Sequence, residues 1–274
     1  MSHTRNTSSP QHTVLTGASG GIGSALAERL TRPGTHLTLC GRDAARLEAA
    51  ASRCRNLGAL VRVMEQDLCD REDTRERLLA LDEEQPVDRL ILNAGVSAGV
   101  PPGRMTEQAM DACRVMEVNG LATISMAASM LERMAARRTG HLVFISSLAA
   151  LYPLAGSPTY CAAKSAVSVY ARAIRSGVAN HGVRVTIVYP GYVDTPMSRR
   201  VKGAQPFRWD AARAADHIAA RLDAAPRSIT FPKILALGML ALNLLPAPLA
   251  ALCERPFDFA IEPEGHDTNG TREQ

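Results

Sequence analysis

Apolar residues recur along this chain in two alternating patterns. Short aliphatic or β-branched runs, most of them closing on small or polar residues, give way to longer stretches with apolar residues every three or four places. The short runs predict strands at 12–16, 37–40, 60–64, 87–92, 141–146 and 183–189. The longer stretches predict helices at 22–30, 43–57 and 71–81, one or two across 110–138, and a long one at 157–180. Strands alternating with helices imply an α/β fold: a single Rossmann-type, doubly wound parallel sheet with helices on both faces. Such sheets bind ligands beyond the carboxyl ends of their strands, near the point where strand order reverses. The residues just after each predicted strand are therefore the first candidates for chemistry.

Composition narrows the classes. A length of 274 residues suits one large domain, and 46% apolar with 21% charged residues is an ordinary globular mixture. A net charge of +4 gives no reason to expect a nucleic-acid partner. The six cysteines form no CxxC pair, and no His/Cys cluster has zinc spacing, so reduced, mostly buried thiols and no catalytic metal are expected. The polar first eleven residues lack the apolar core of a signal peptide, which predicts a flexible tail and a cytoplasmic location. The expected organisation is a tail at 1–11, the Rossmann domain at 12–232, an apolar helical segment at 233–256 and a polar, disordered tail at 257–274.

Thr16-Gly17-Ala18-Ser19-Gly20-Gly21-Ile22-Gly23 follows the first strand and opens a helix. Missing side chains let a backbone approach a pyrophosphate, and a helix N-terminus offers free N–H groups and a positive dipole end. Gly17 serves the tight turn, Gly21 the close approach and Gly23 the packing of helix on strand, with Ser19 and Ile22 beside them. At the end of the second strand, where NAD enzymes carry a carboxylate, stand Gly41 and Arg42. A guanidinium there suits the 2′-phosphate of NADP(H), which makes NADP(H) the favoured cofactor and leaves NAD(H) possible. Asp43 reads as a helix-start residue. Asp67 and Leu68, after the third strand, could meet an adenine, and Asn93-Ala94-Gly95 closes the fourth with a small-residue turn.

Tyr160 and Lys164 stand one helical turn apart on one face of the long helix. A free phenol has a pKa of about 10, and a nearby ammonium favours its anion. Ser147, at the end of the fifth strand, is placed to hydrogen-bond a carbonyl or its developing oxyanion. Asn119 interrupts an apolar helical stretch and could reach Lys164 through water. Each feature alone has a bland reading as turn, cap or surface decoration; their order along one chain is what carries weight.

Taken together, TGASGGIG at 16–23, NAG at 93–95, Asn119, Ser147, YCAAK at 160–164 and Pro190-Gly191 with Thr195 resemble the short-chain dehydrogenase/reductase family over roughly residues 12–225. The resemblance implies a seven-stranded parallel sheet and hydride transfer between a nicotinamide cofactor and a carbonyl or secondary alcohol. By the same resemblance Tyr160 is the proton donor and acceptor, and Lys164 holds the nicotinamide ribose and lowers the Tyr160 pKa. Ser147 orients the carbonyl and Asn119 anchors a relay water. Asp67 and Asn93 line the adenine side, while Pro190, Gly191, Val193 and Thr195 lie at the nicotinamide, Thr195 against its carboxamide. Homodimers or homotetramers formed through the two long helices are also implied. One departure is that the glycine turn lacks the basic residue often found in NADP-preferring members, leaving Arg42 to set the preference.

The substrate end is less specific. Positions 192–209 hold Met197, Arg199, Arg200, Lys202 and the single Trp209, where family members carry a variable lid. Between Lys233 and Glu254 no residue is charged, yet Gly238, Pro246 and Pro248 interrupt the run. It is expected to cover a hydrophobic substrate or touch a membrane surface through 234–253, not to span a bilayer. A carbonyl reductase leads, with an NAD-dependent alcohol dehydrogenase next. A sugar-nucleotide epimerase would need a longer C-terminal part, and a cofactor-sensing binding protein would not need Asn119, Ser147, Tyr160 and Lys164 together.

Overall fold

In the computed structural model, residues 11–101, 103–246, 248–249 and 259–261 are described. The first half runs β1 (His12–Thr16), α1 (Gly21–Leu30), β2 (His36–Gly41), α2 (Ala44–Asn56), β3 (Leu60–Glu65), α3 (Arg71–Glu84) and β4 (Arg89–Leu92). It continues with α4 (Ala109–Val115), a wide π-helical segment (Met116–Ala122), α5 (Thr123–Ala136), β5 (Gly140–Ile145), α6 (Pro158–Val178) and β6 (Val183–Pro190). Then come short β7 (Val193–Asp194), β8 (Val201–Gly203) and β9 (Trp209–Asp210), followed by α7 (Ala211–Leu222), β10 (Ser228–Phe231), α8 (Lys233–Leu242) and β11 (Phe259–Ile261).

Seven strands form one sheet in the order β10-β6-β5-β4-β1-β2-β3, and each adjacent pair is parallel. From β1 the chain builds outward through β2 and β3, then crosses back to β4 on the other side of β1. The reversal puts the ends of β1 and β4 side by side, where a crevice opens. Strand residues alternate between two buried layers. Val14, Leu90, Leu142 and Phe144 pack toward α3, α5 and α6, while Leu15, Ile91, Val143 and Ile145 pack toward α1, α2 and α7. Burial on both faces explains the near-continuous apolar runs of the central strands.

Several boundaries differ from the sequence expectation for physical reasons. The fourth strand starts at Arg89 and not at Val87, because the Asp82 carboxylate accepts the Val87 N–H at 2.8 Å and holds that residue in the turn. The 110–138 stretch is one continuous helical path widened in its middle by the π segment. Within the stretch expected to be a polar, disordered tail at 257–274, Phe259–Ile261 form β11, pairing antiparallel with β8 so that Ile261 lies opposite Val201; the rest of that stretch lies outside the described residues. The pairing buries Ile261, which sits at 8% exposure against Gly99. The first part of the uncharged run forms α8, positions 247 and 250–253 of the run lie outside the described residues, and no helix among the described residues is long and apolar enough to cross a membrane. Of the five described cysteines, Cys40, Cys54 and Cys161 are buried, Cys69 is half-buried and Cys113 is exposed; Cys253 lies outside the described residues.

Candidate active site

A cavity of about 390 Å³ opens at the carboxyl edge of the sheet, lined from Arg42 and Asp67 at one end to Tyr160, Leu235 and Ile261 at the other. Of the residues singled out from sequence, Gly17, Ser19, Gly21, Ile22, Arg42, Asp67, Leu68, Asn93, Ala94, Gly95, Ser147, Tyr160, Lys164, Pro190, Gly191, Val193 and Thr195 all line it. Gly23 and Asn119 stand behind its wall.

The turn after β1 needs its glycines. Gly17 has φ +67°, and a Cβ there would lie 2.8 Å from the Ala94 backbone. A Cβ on Gly23 would lie 2.2 Å from the Gly17 carbonyl oxygen, so Gly23 lets α1 close onto the turn. Asn93 ties this turn to β4: its Nδ2 donates to Thr16 O at 3.0 Å and Gly17 O at 3.1 Å. α1 starts at Gly21, its N-cap Gly20 has no capping side chain, and Gly20, Gly21 and Ile22 line the cavity, leaving the first-turn amides for a ligand.

Beyond β2, Asp43 is engaged elsewhere. Its carboxylate caps α2 by accepting from Arg46 N at 2.9 Å and pairs with the Arg46 side chain at 3.1 Å. Arg42 is exposed at the cavity rim, and Gly41 lies against the Ser19 hydroxyl. Asp67 spends one oxygen on the Cys69 amide at 3.0 Å. Thr195 lies over Gly21 through its methyl group, and its hydroxyl accepts from Ser198 N at 3.1 Å.

At the other end, β5 delivers two serines with different fates. Ser146 is buried, bonding Lys164 O and Ser168 Oγ, which locks β5 to α6. Ser147 faces the cavity and caps the turn of Leu148–Ala150 by accepting from Ala149 N at 3.1 Å. α6 presents Tyr160 and Lys164 on one face, with the ammonium 5.8 Å from the phenol ring centre. Lys164 Nζ donates to Ile145 O at 2.8 Å. Burial pushes the Tyr160 phenol up to about 12, against the pull of the Ser147 hydroxyl. Burial pulls Lys164 down to about 8. No lowering of the Tyr160 phenol by Lys164 shows in this structure, where the ammonium points to the Ile145 carbonyl and desolvation of the phenol is the larger influence. Asn119, aimed by the π segment, accepts from Val96 N and donates to Val96 O, both at 2.8 Å. Asn119 Oδ1 and Lys164 Nζ flank Gly95, at 3.2 and 3.6 Å from where a Cβ would stand.

Two of the lid cations are held by protein partners. Arg199 pairs with Asp194 at 2.9 Å, and Arg200 donates to Ser97 O and Oγ at 2.9 Å each. Trp209 stacks on Phe231 with Arg213 over its ring. Sequence reasoning missed Leu235, Met239 and Ile261 as individual wall residues. The uncharged run pointed toward the first two; nothing local pointed to Ile261. Among the described residues, no three His, Cys, Asp or Glu side chains converge as a metal site would need.

Comparison with known proteins places this geometry. The family model for short chain dehydrogenases matches residues 11–206. The 1-deoxy-11-beta-hydroxypentalenate dehydrogenase of Streptomyces exfoliatus is 35% identical over 211 residues, covering 75% of this chain and 76% of that one. A short-chain dehydrogenase from Sphingobium yanoikuyae, solved in complex with NADPH, superposes with a TM-score of 0.74 at 26% identity, over 93% of this chain and 98% of that one. The bulky-bulky ketone specific alcohol dehydrogenase from Comamonas testosteroni superposes with a TM-score of 0.73 at 26% identity, over 90% and 95%. A nicotinamide-type cleft, a Tyr/Lys helix and a matching family model lead to one statement: this chain belongs to the short-chain dehydrogenase family of oxidoreductases.

Proposed function

We propose that the protein is an NADPH-dependent reductase of a lipophilic ketone or oxoacyl compound, interconverting it with the secondary alcohol. One observation carries the reading. Ser147, Tyr160 and Lys164 share a cavity whose wall includes the aliphatic Leu235, Met239 and Ile261. The relatives that act on a hydroxypentalenate and on bulky ketones support a hydrophobic substrate.

The residues present fit a nicotinamide dinucleotide. The uncapped α1 terminus with Gly17, Ser19, Gly21 and Ile22 would hold the pyrophosphate, and Arg42 the 2′-phosphate. Asp67, Leu68 and the 93–95 turn would border the adenosine half. Lys164 would hold the nicotinamide ribose, with Pro190, Gly191, Val193 and Thr195 around the ring. A bound nicotinamide supplies the hydride. The chain supplies orientation and the proton. Ser147 donates to the carbonyl oxygen, and Tyr160, kept protonated by burial, gives that oxygen its proton. Asn119 fixes Val96, and its Oδ1 retains a lone pair for a relay water beside Lys164. A phenol held neutral is in the form that the acid role in reduction needs.

The test is a titration with NADPH and NADH followed by a ketone screen. Tighter NADPH binding and turnover of lipophilic ketones are expected. Tighter NADH binding moves the reading to an alcohol dehydrogenase, and binding of neither removes it.

Two association readings follow from exposed apolar groups. Leu121 on the π segment that leads into α5, and Val169 on α6, are about half exposed, which suits pairing of two copies through the long helices; light scattering should give a dimer or tetramer. Ile234, Leu237 and Leu240 face outward on α8 while Leu235 and Met239 wall the cleft, which suits contact with a membrane surface. Flotation with anionic vesicles should carry the protein, and a protein left in the dense fraction would remove that contact.

A further inference from the structure

A residue near the far end of the chain enters the substrate end of the cleft. β11 pairs with β8 so that Ile261 and Val201 are directly opposed, and both side chains line the cavity. Ile261 is buried, and its Cβ would lie 2.6 Å from a Cβ on Gly99. The same Gly99 position is 3.0 Å from Gly156 O, and Val100 N donates to that oxygen at 3.0 Å. Gly156 precedes Ser157, which stands at the N-cap position of α6 and turns its hydroxyl away from the helix to donate to Ala98 O. Ile261 therefore rests on Gly99 in the loop after β4, and that loop is bonded in turn to the residues that launch the Tyr160 helix. The lid is fastened at the same corner by Arg200, which bonds Ser97.

We infer that Ile261 is a specificity-determining residue: with Val201 across the ribbon it closes the substrate end and sets the size of the group that can sit beside the reacting carbonyl. This rests on the carbonyl-reductase reading and deepens it. The physical ground is close packing. A branched aliphatic wall rejects an oversized group by contact, and each methylene of misfit changes relative rates by roughly 10-fold or more. Gly99 is part of the device, since any side chain there would displace Ile261.

The test compares kcat/KM across ketones from cyclohexanone to bulky diaryl ketones, for the wild type, Ile261→Ala and Ile261→Phe. Ile261→Ala should raise the bulky-to-small ratio by about 10-fold or more, and Ile261→Phe should lower it. NADPH affinity should not change, because the residue lies away from the glycine turn. A purely structural role would lower kcat/KM for every ketone alike, and that unchanged ratio overturns the inference. If Ile261→Ala does not fold, Ile261→Val carries the same ratio test with a smaller expected shift. A wild type that reduces no ketone overturns the reductase reading instead. Calorimetric binding of the same ketones to the NADPH complex then decides the wall role, with an unchanged bulky-to-small affinity ratio counting against it.

Discussion

The two edges of the central sheet use buried polar groups in opposite ways. At the amino edge they largely satisfy one another, with Arg137 Nε buried and unpartnered. His12 contacts Thr38 at 3.0 Å, Arg89 reaches His141 and Asp223, and His141 contacts Thr186 at 2.9 Å. Asp82 gathers the Val87 amide, Arg133 and Arg137. At the carboxyl edge Ser147, Tyr160 and Lys164 keep polar atoms on an open cavity. Burial costs both edges the same desolvation. One edge recovers it within the fold, and the other holds donors ready for a ligand. Buried polar side chains point to function where their atoms open onto a cavity, as those of Ser147, Tyr160 and Lys164 do, and not merely where a partner is missing, as at Arg137 Nε.

The largest test of this contrast is Tyr160→Phe. Removing one hydroxyl from the open edge should cut kcat by roughly 10²–10⁴, the usual worth of a positioned general acid. NADPH affinity and Tm should stay near the wild type, since the ring still packs. Near-normal turnover would remove Tyr160 from the chemistry.

The mirror experiment is Asp82→Asn at the closed edge. Burial pushes the Asp82 carboxyl up, but the Val87 amide and the guanidinium groups of Arg133 and Arg137 outweigh it and hold it low. Losing the charge should cost about 2 kcal/mol, a fall in Tm of roughly 4–8 °C, with kcat unchanged. A variant that lost turnover while keeping its Tm would abolish the division between the edges.

Cofactor choice is a smaller effect. Arg42→Ala should weaken NADPH about 10-fold, roughly one charge-assisted contact, and leave NADH nearly unchanged. Fluorescence titration checks it, and equal losses for both nucleotides would mean Arg42 does not read the 2′-phosphate.

Much of the open edge was legible because each piece is local. A turn with glycines at 17, 21 and 23, a Tyr/Lys pair one helical turn apart and a serine at a strand end are all short-range patterns tied to backbone geometry. Asp43 could be read as a helix start from its position alone, and it does cap α2. What stayed hidden depends on distant pairing. β11 is three residues long, too short for a period, and exists because β8 offers an edge and Gly99 leaves room. The π segment that aims Asn119 carries the same apolar spacing as an ordinary helix. The direction of the Tyr160 shift was also invisible, because it depends on how deeply the phenol sits and where the Lys164 ammonium points.

The finest separation of the two edges is by pH. On the acid side the closed edge should fail first. Asp82 has its folded pKa lowered, so its stabilisation is present above the ordinary carboxylate range and lost as pH falls through the lowered value. Burial, with help from Arg89 and Arg184, holds His141 well below its usual value. Unfolding therefore takes up a proton as pH drops below the ordinary imidazole range, again destabilising the fold in acid. On the alkaline side the open edge should fail first. Lys164, pulled down to about 8 by burial, loses its charge and a donor as pH rises through that value, while Tyr160 at about 12 stays protonated. kcat/KM for reduction should therefore decline with a midpoint near 8, while Tm should rise over the same range, because the folded chain releases the Lys164 proton more readily than the unfolded chain does. Asp82→Asn should flatten part of the acid limb of Tm and leave the alkaline limb of activity in place. A rate that stays level well above that midpoint would show that reduction does not use the Lys164 charge, and the open edge would then act through Ser147 and Tyr160 alone.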